Sequence, residues 1–126
     1  MIPSLHKRQN TARTRVASPL KLPRPPSTVS RSRQTIIEPG DSANYNCSVV
    51  NFSQGCTTGW HTHTCDQILV VTSGSGMVAT EHEKHEINIG DVVHIKAGER
   101  HWHGAKANTT MGHITITAVG GQAKFE

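Results

Sequence analysis

The sequence predicts an all-β fold, a closed barrel or sandwich, on three observations. From Thr35 onward the chain is a succession of short β-prone runs closed by turn residues, many of them glycine. No stretch carries apolar residues at helical spacing. Aromatic residues make up 4% of the chain against a hydrophobic fraction of 34%, so the core has to come from Val, Ile and Leu, which pack well on a pleated surface. A chain of 126 residues has room for one domain.

The elements follow in order. Residues 1–34 form an arm rich in Arg, Ser and Pro, without helical or strand periodicity. Leu22-Pro23-Arg24-Pro25-Pro26 is incompatible with a helix or a central strand. Residues 35–126 form the barrel. Its first run, 35–38, ends at the turn signal Pro39-Gly40-Asp41, and the alternating run 46–52 is broken by Ser53-Gln54-Gly55. The continuous run 67–72 ends at Ser73-Gly74-Ser75-Gly76, which reads as a turn. Runs 77–80, 85–89, 91–95 and 112–118 come next, with Gly90, Ala97-Gly98 and Asn108 between them.

The formal charge of +4 is an average of two unlike pieces. Before Thr35 there are Lys and Arg residues and no acid; after it nine acids face Lys84, Lys96, Arg100, Lys106 and Lys124, so the barrel is mildly acidic. The basic arm reads as a solvated or partner-draping segment, an organelle transit peptide, or a contact for nucleic acid or anionic lipid. It lacks the interleaved aromatics that single-stranded nucleic acid uses, so nucleic acid is not the expected partner. No run of about 18 apolar residues offers a membrane span, and none behind the basic start resembles a secretory signal. Cys47, Cys56 and Cys65 are odd in number and lack Cys-x-x-Cys spacing, which points to free thiols and a cytoplasmic location.

Histidine spacing carries the functional signal. His61 and His63 are two apart, so on a strand both imidazoles leave the same face. Gln67 lies at an even offset from His63 and can return to that face, while His101 can complete a site from another strand. Neutral imidazoles with an oxygen donor suit a divalent transition metal. For the His61–His63 pair alone, two ordinary polar residues near a turn remain the simpler reading.

The wider pattern changes the balance. Gly55, His61-Thr62-His63, Gln67 and Gly74 stand at the spacing of the first cupin motif, with Gln67 where most cupins have Glu. Gly90, Lys96-Ala97-Gly98 and His101 resemble the second cupin motif, with Lys96 in place of Pro and Ala105 in place of Asn. The segments Trp60-His61-Thr62-His63, Gly98-Glu99-Arg100-His101-Trp102-His103-Gly104 and Thr109-Thr110-Met111-Gly112-His113 narrow the likeness. The chain resembles the small single-domain bacterial cupins that include manganese-dependent hydroxynitrile lyases, and the cupin domains attached to carboxymuconolactone decarboxylase-like proteins. Thr64-Cys65-Asp66 departs from the Pro-Leu-Gly often found there, which bears on the pocket mouth.

That resemblance implies a cupin jelly-roll barrel holding one metal through His61, His63, Gln67 and His101, with His103 and His113 as catalytic histidines. Mn2+ is the expected ion; Fe2+, Ni2+, Co2+ and Zn2+ fit the same donors. Trp60, Trp102 and Cys65 are expected to wall the pocket, whereas His82, His85 and His94 are expected on the surface. The expected activity is lyase-type cleavage of a small hydroxylated molecule. An Fe(II) dioxygenase, a decarboxylase or isomerase, and a non-catalytic metal- or ligand-binding module are the alternatives. A homodimer built through residues 25–50 is expected from the resemblance and from strand edges that need covering.

Overall fold

The computed structural model describes residues 31–126, and the arm expected over 1–34 lies outside the described residues up to position 30. Nine strands and no helix are present among them: β1 (Arg31–Ile37), β2 (Tyr45–Phe52), β3 (His61–His63), β4 (Gln67–Thr80), β5 (Lys84–Asn88), β6 (Val92–Ile95), β7 (His101–Ala105), β8 (Met111–Ala118) and β9 (Ala123–Phe125). They form one antiparallel sheet in the order β1-β2-β8-β4-β7-β3-β9, with β5 and β6 also paired to β4. The sheet curls until its two ends approach each other. The guanidinium of Arg31, on β1, lies 5.8 Å from the centre of the Phe125 ring, on β9.

β1 begins at Arg31, so Arg31–Gln34 belong to a strand although the sequence reading assigned them to the arm. Backbone pairing to Val49–Phe52 of β2 makes them a strand, and pairing of this kind leaves no apolar signature in the side chains.

β4 is the second departure. The Ser73–Gly76 segment, expected as a turn, continues as strand through all fourteen residues of β4. The ladder with β8 shifts register between Val71 and Ser73, and Gly74 takes φ +67. A bulge bends a strand without ending it. β4 pairs with β6 and β8 up to Gly74 and with β5 and β7 from Ser75 onward, so one strand passes from one half of the sheet to the other. The turn signals at Gly40, Gly90 and Gly98 do close turns, each glycine at positive φ, with Asp41 N–H donating to Glu38 O at 3.0 Å and Asn88 N–H to the Asp91 carboxylate at 2.7 Å.

The core is a cluster of Val50, Phe52, Leu69, Val71, Val78, Ile87, Ile95, Ala105 and Met111, each at most 6% exposed. Burying side chains of this size contributes roughly 1.5–3 kcal/mol each. Phe52 joins this cluster to the histidines, its ring centre 5.5 Å from that of His113 and 5.9 Å from that of His103. The histidine cluster therefore stands on a packed hydrophobic floor.

Gly74 admits a direct test. A Cβ there would sit 2.0 Å from the Thr110 carbonyl oxygen, on a backbone already in the left-handed region. Gly74→Ala is expected to destabilise the fold by about 2–4 kcal/mol, measured as the shift in urea midpoint, whereas Gly40→Ala, with open space around it, costs about 1 kcal/mol.

Candidate metal centre

β3 and β7 pair through a single register position, His61 opposite His101, which sets the two ring centres 4.2 Å apart. His63 lies two residues beyond His61 on the same face, its ring centre 5.6 Å from that of His101. The turn before β7 is tied to this strand by the Gly98 N–H, which donates to His63 O at 2.9 Å. One potential donor atom from each of His61, His63 and His101 falls within 4.8 Å of the others, so the three can hold a metal ion. Gln67, at the head of β4, brings its Oε1 within 3.2 Å of His101 Nε2.

Hydrogen bonds set which atoms carry lone pairs. His61 Nδ1 lies 2.9 Å from Gly59 O, and His101 Nδ1 2.8 Å from Glu99 O. A carbonyl only accepts, so both Nδ1 atoms are protonated and Nε2 is the lone-pair nitrogen of each neutral ring. Gln67 Nε2 donates to Thr115 Oγ1 at 2.8 Å, with Oε1 toward His101. His101 Nε2 and Gln67 Oε1 are thus two acceptors facing each other, and a cation between them satisfies both. The buried His63 Nε2 has no hydrogen-bond partner either. This donor set fits a divalent metal.

Burial keeps the rings neutral. It pushes the His61 pKa down to about 4, with the neighbouring histidines and Arg31 adding to the shift against an opposing bond to Gly59. Burial also lowers His63 and His101. A neutral imidazole is the ligating form.

His103 follows His101 by two residues and faces the same interior, its ring centre 5.5 Å from that of His61. His113, on β8, lies beyond it, with Nε2 3.0 Å from His103 Nδ1. Both are buried, and the outward nitrogens, His103 Nε2 and His113 Nδ1, have no hydrogen-bond partner. Burial holds His113 down to about 4 and His103 well below the ordinary histidine value, so each is neutral. Across the 3.0 Å bond one ring donates to the other, which leaves a lone pair on the outward nitrogen of the donating ring and a proton on that of the accepting ring.

His61, His63, Gln67, His103 and His113 line a cavity of about 200 Å3, with Arg31 and Arg33 from β1, Thr58, Thr115 and Phe125 in its wall. A second chamber of about 150 Å3 shares Arg33, His63, Gln67 and Thr115 with the first and includes Cys65 and Cys47. Cys65 thus shares the second chamber with His63 and Gln67. All three cysteines are free, and burial raises the Cys47 thiol.

The tryptophans are a correction. Neither Trp60 nor Trp102 lines these chambers, because each has the opposite strand parity to the ligand beside it. Arg100 stacks on Trp60 at 4.0 Å, itself held by Glu126 at 2.8 Å, and Lys84 lies 5.8 Å from the Trp102 ring centre. His82, His85 and His94 are exposed; His94 pairs with Asp66 at 2.8 Å, and that bond holds the Asp66 carboxyl below its usual range. Sequence reasoning missed Arg31, Arg33 and Phe125, the last stacked on His61 at 4.6 Å. The only trace of the arginines was their spacing of two.

A model of the cupin domain family matches residues 48–117, and the chain belongs to that family. Within it, the chain is 47% identical over 68 residues to an (R)-mandelonitrile lyase of Granulicella tundricola. That match covers 53% of this chain and 52% of the relative, so the chain spans about half the length of that protein. Among solved structures, a cupin-like protein from Thermotoga maritima superposes with a TM-score of 0.73 at 30% identity, covering 79% of this chain and 77% of that one. A cupin 2 domain-containing protein from Halorhodospira halophila gives 0.70 at 20% identity, covering 76% and 70%, a likeness of fold alone.

The depressed histidines make stability depend on pH. In the metal-free fold His61 and His113 stay neutral down to about pH 4, whereas in the unfolded chain they titrate near 6.5. The unfolded state therefore binds more protons in between, and stability falls as pH drops from about 6.5 to about 4, by roughly 3 kcal/mol per histidine. The urea midpoint of the metal-free protein is expected to fall through that window, with a shallower slope in His113→Gln. An unchanged slope would contradict the burial account.

Proposed function

We propose that this cupin is a metal-dependent lyase of the hydroxynitrile lyase kind, splitting a C–C bond in a small hydroxylated molecule. The observation that carries the reading is the buried His103–His113 pair, which shares one cavity with His61, His63 and Gln67, with the His101 ring stacked 5.7 Å from that of His103. The match to a mandelonitrile lyase supports the same reaction class.

Because all four ligands are neutral, a divalent ion, Mn2+ by preference, would keep its full charge for polarising a substrate oxygen. The residues of the chain do the rest. His103 Nε2, free and adjacent to the ligand rings, takes the hydroxyl proton. In the tautomer where His103 Nδ1–H donates to His113 Nε2 across 3.0 Å, His103 Nε2 carries the lone pair that accepts this proton. As the carbonyl forms, the electron pair of the C–CN bond departs with cyanide. Return of the proton to cyanide gives HCN and an aldehyde, and the balance closes without any oxidant. Phe52 and the apolar floor keep bulk water from the two histidines. The protein is further proposed to work as a homodimer in the cytoplasm, β1 being an edge strand.

The expected result is that manganese-loaded protein converts (R)-mandelonitrile to benzaldehyde and cyanide, followed by benzaldehyde absorbance. His103→Ala and His113→Ala should each lower kcat by about 100-fold or more with metal content unchanged. Failure of the loaded protein to split any cyanohydrin would overturn the lyase reading. Oxygen uptake by the Fe(II)-loaded protein with a diketone would favour a dioxygenase instead.

A further inference from the structure

The charge facing the cavity is all of one sign. Neither chamber is lined by an Asp or Glu, while Arg33 lines both and Arg31 lines the larger. The two arginines are two apart on β1 and leave the same face of that strand. Register sets Arg33 opposite Val50, which also lines the cavity. Arg33 donates to Ser48 Oγ at 3.5 Å, and among the described residues no carboxylate lies within ion-pair reach of it or of Arg31. Elsewhere Glu81 and Glu126 pair with Arg100 and Asp66 with His94. The first thirty residues of the chain contain no acid at all. The field of Arg33 reaches inward, opposing protonation of both His63 and His113.

An unpaired guanidinium at the rim of a cavity with neutral ligands and no acid lacks a counter-charge of its own. Its planar fork matches a carboxylate through two parallel hydrogen bonds. We propose that Arg33 is a specificity residue that receives a carboxylate of the substrate, so that the cavity takes a small hydroxylated carboxylate in preference to a neutral molecule. This names the substrate class of the proposed lyase site and rests on that reading. β1 thereby has two roles, closing the sheet toward β9 and supplying the anion-receiving group.

Binding tests it without turnover. Isothermal titration of manganese-loaded full-length chain would compare benzoate with benzamide, its neutral counterpart of similar shape. Benzoate is expected to bind at least about tenfold more tightly to the wild type, with the preference lost in Arg33→Gln and partly kept in Arg33→Lys. No preference in the wild type, which needs no variant to fold, overturns the proposal. So does a preference undiminished in Arg33→Gln, which would put the carboxylate on the metal alone. A chain that seats benzoate through Arg33 but splits no cyanohydrin would keep the anion seat and lose the lyase; the reverse would keep the lyase and lose the seat.

Discussion

Two hydrogen-bond acceptors, His101 Nε2 and Gln67 Oε1, face each other at 3.2 Å inside the barrel, and the rest of the site follows from how they are held there. The Glu99 carbonyl holds the His101 ring in one tautomer, and Gln67 Nε2 donates to Thr115 Oγ1 with Oε1 toward His101. Facing acceptors repel unless a proton or a metal lies between them, and burial disfavours the proton on His101. His61, held in its tautomer by the Gly59 carbonyl, and His63, with an unpartnered Nε2, add further lone pairs to the same spot. A site of this kind is built at a cost in metal-free stability, which cation binding offsets.

The fold makes that arrangement rigid by drawing the ligands from strands far apart in sequence. His61 and His101 are paired across β3 and β7, and Gln67 opens the strand that touches both halves of the sheet. The register shift between Val71 and Ser73, followed by the positive φ of Gly74, is what allows β4 to serve both halves. Phe52 and the core behind it pack against His103 and His113 from below, and both rings are buried. The His103–His113 pair and the three histidines that can hold a metal are therefore parts of one packed unit.

Much of this was legible in the sequence. Strand parity alone places His61 with His63, and His101 with His103, on shared faces, and the two cupin motifs bring Gln67 into the set. The same rule, applied strictly, also removes Trp60 and Trp102 from the pocket, each being one residue from a ligand. Other features left no local signal. A glycine-rich stretch reads alike as turn or bulge, and only the partners of β4 decide for the bulge. Arg31 and Arg33 look like the rest of a basic arm until pairing with β2 fixes which way they point. Phe125 reaches His61 through β9, three residues long and too short to show a period.

The measurement that bears most directly on this account is the metal content of untagged protein by mass spectrometry, beside a His61→Ala/His101→Ala control. About one divalent transition-metal ion per chain is expected in the wild type and none in the control, since the double substitution removes two of the four donors. No metal in either form, and none taken up on reconstitution with Mn2+ or Fe2+, would contradict the cation-demanding site and with it the lyase chemistry built upon it.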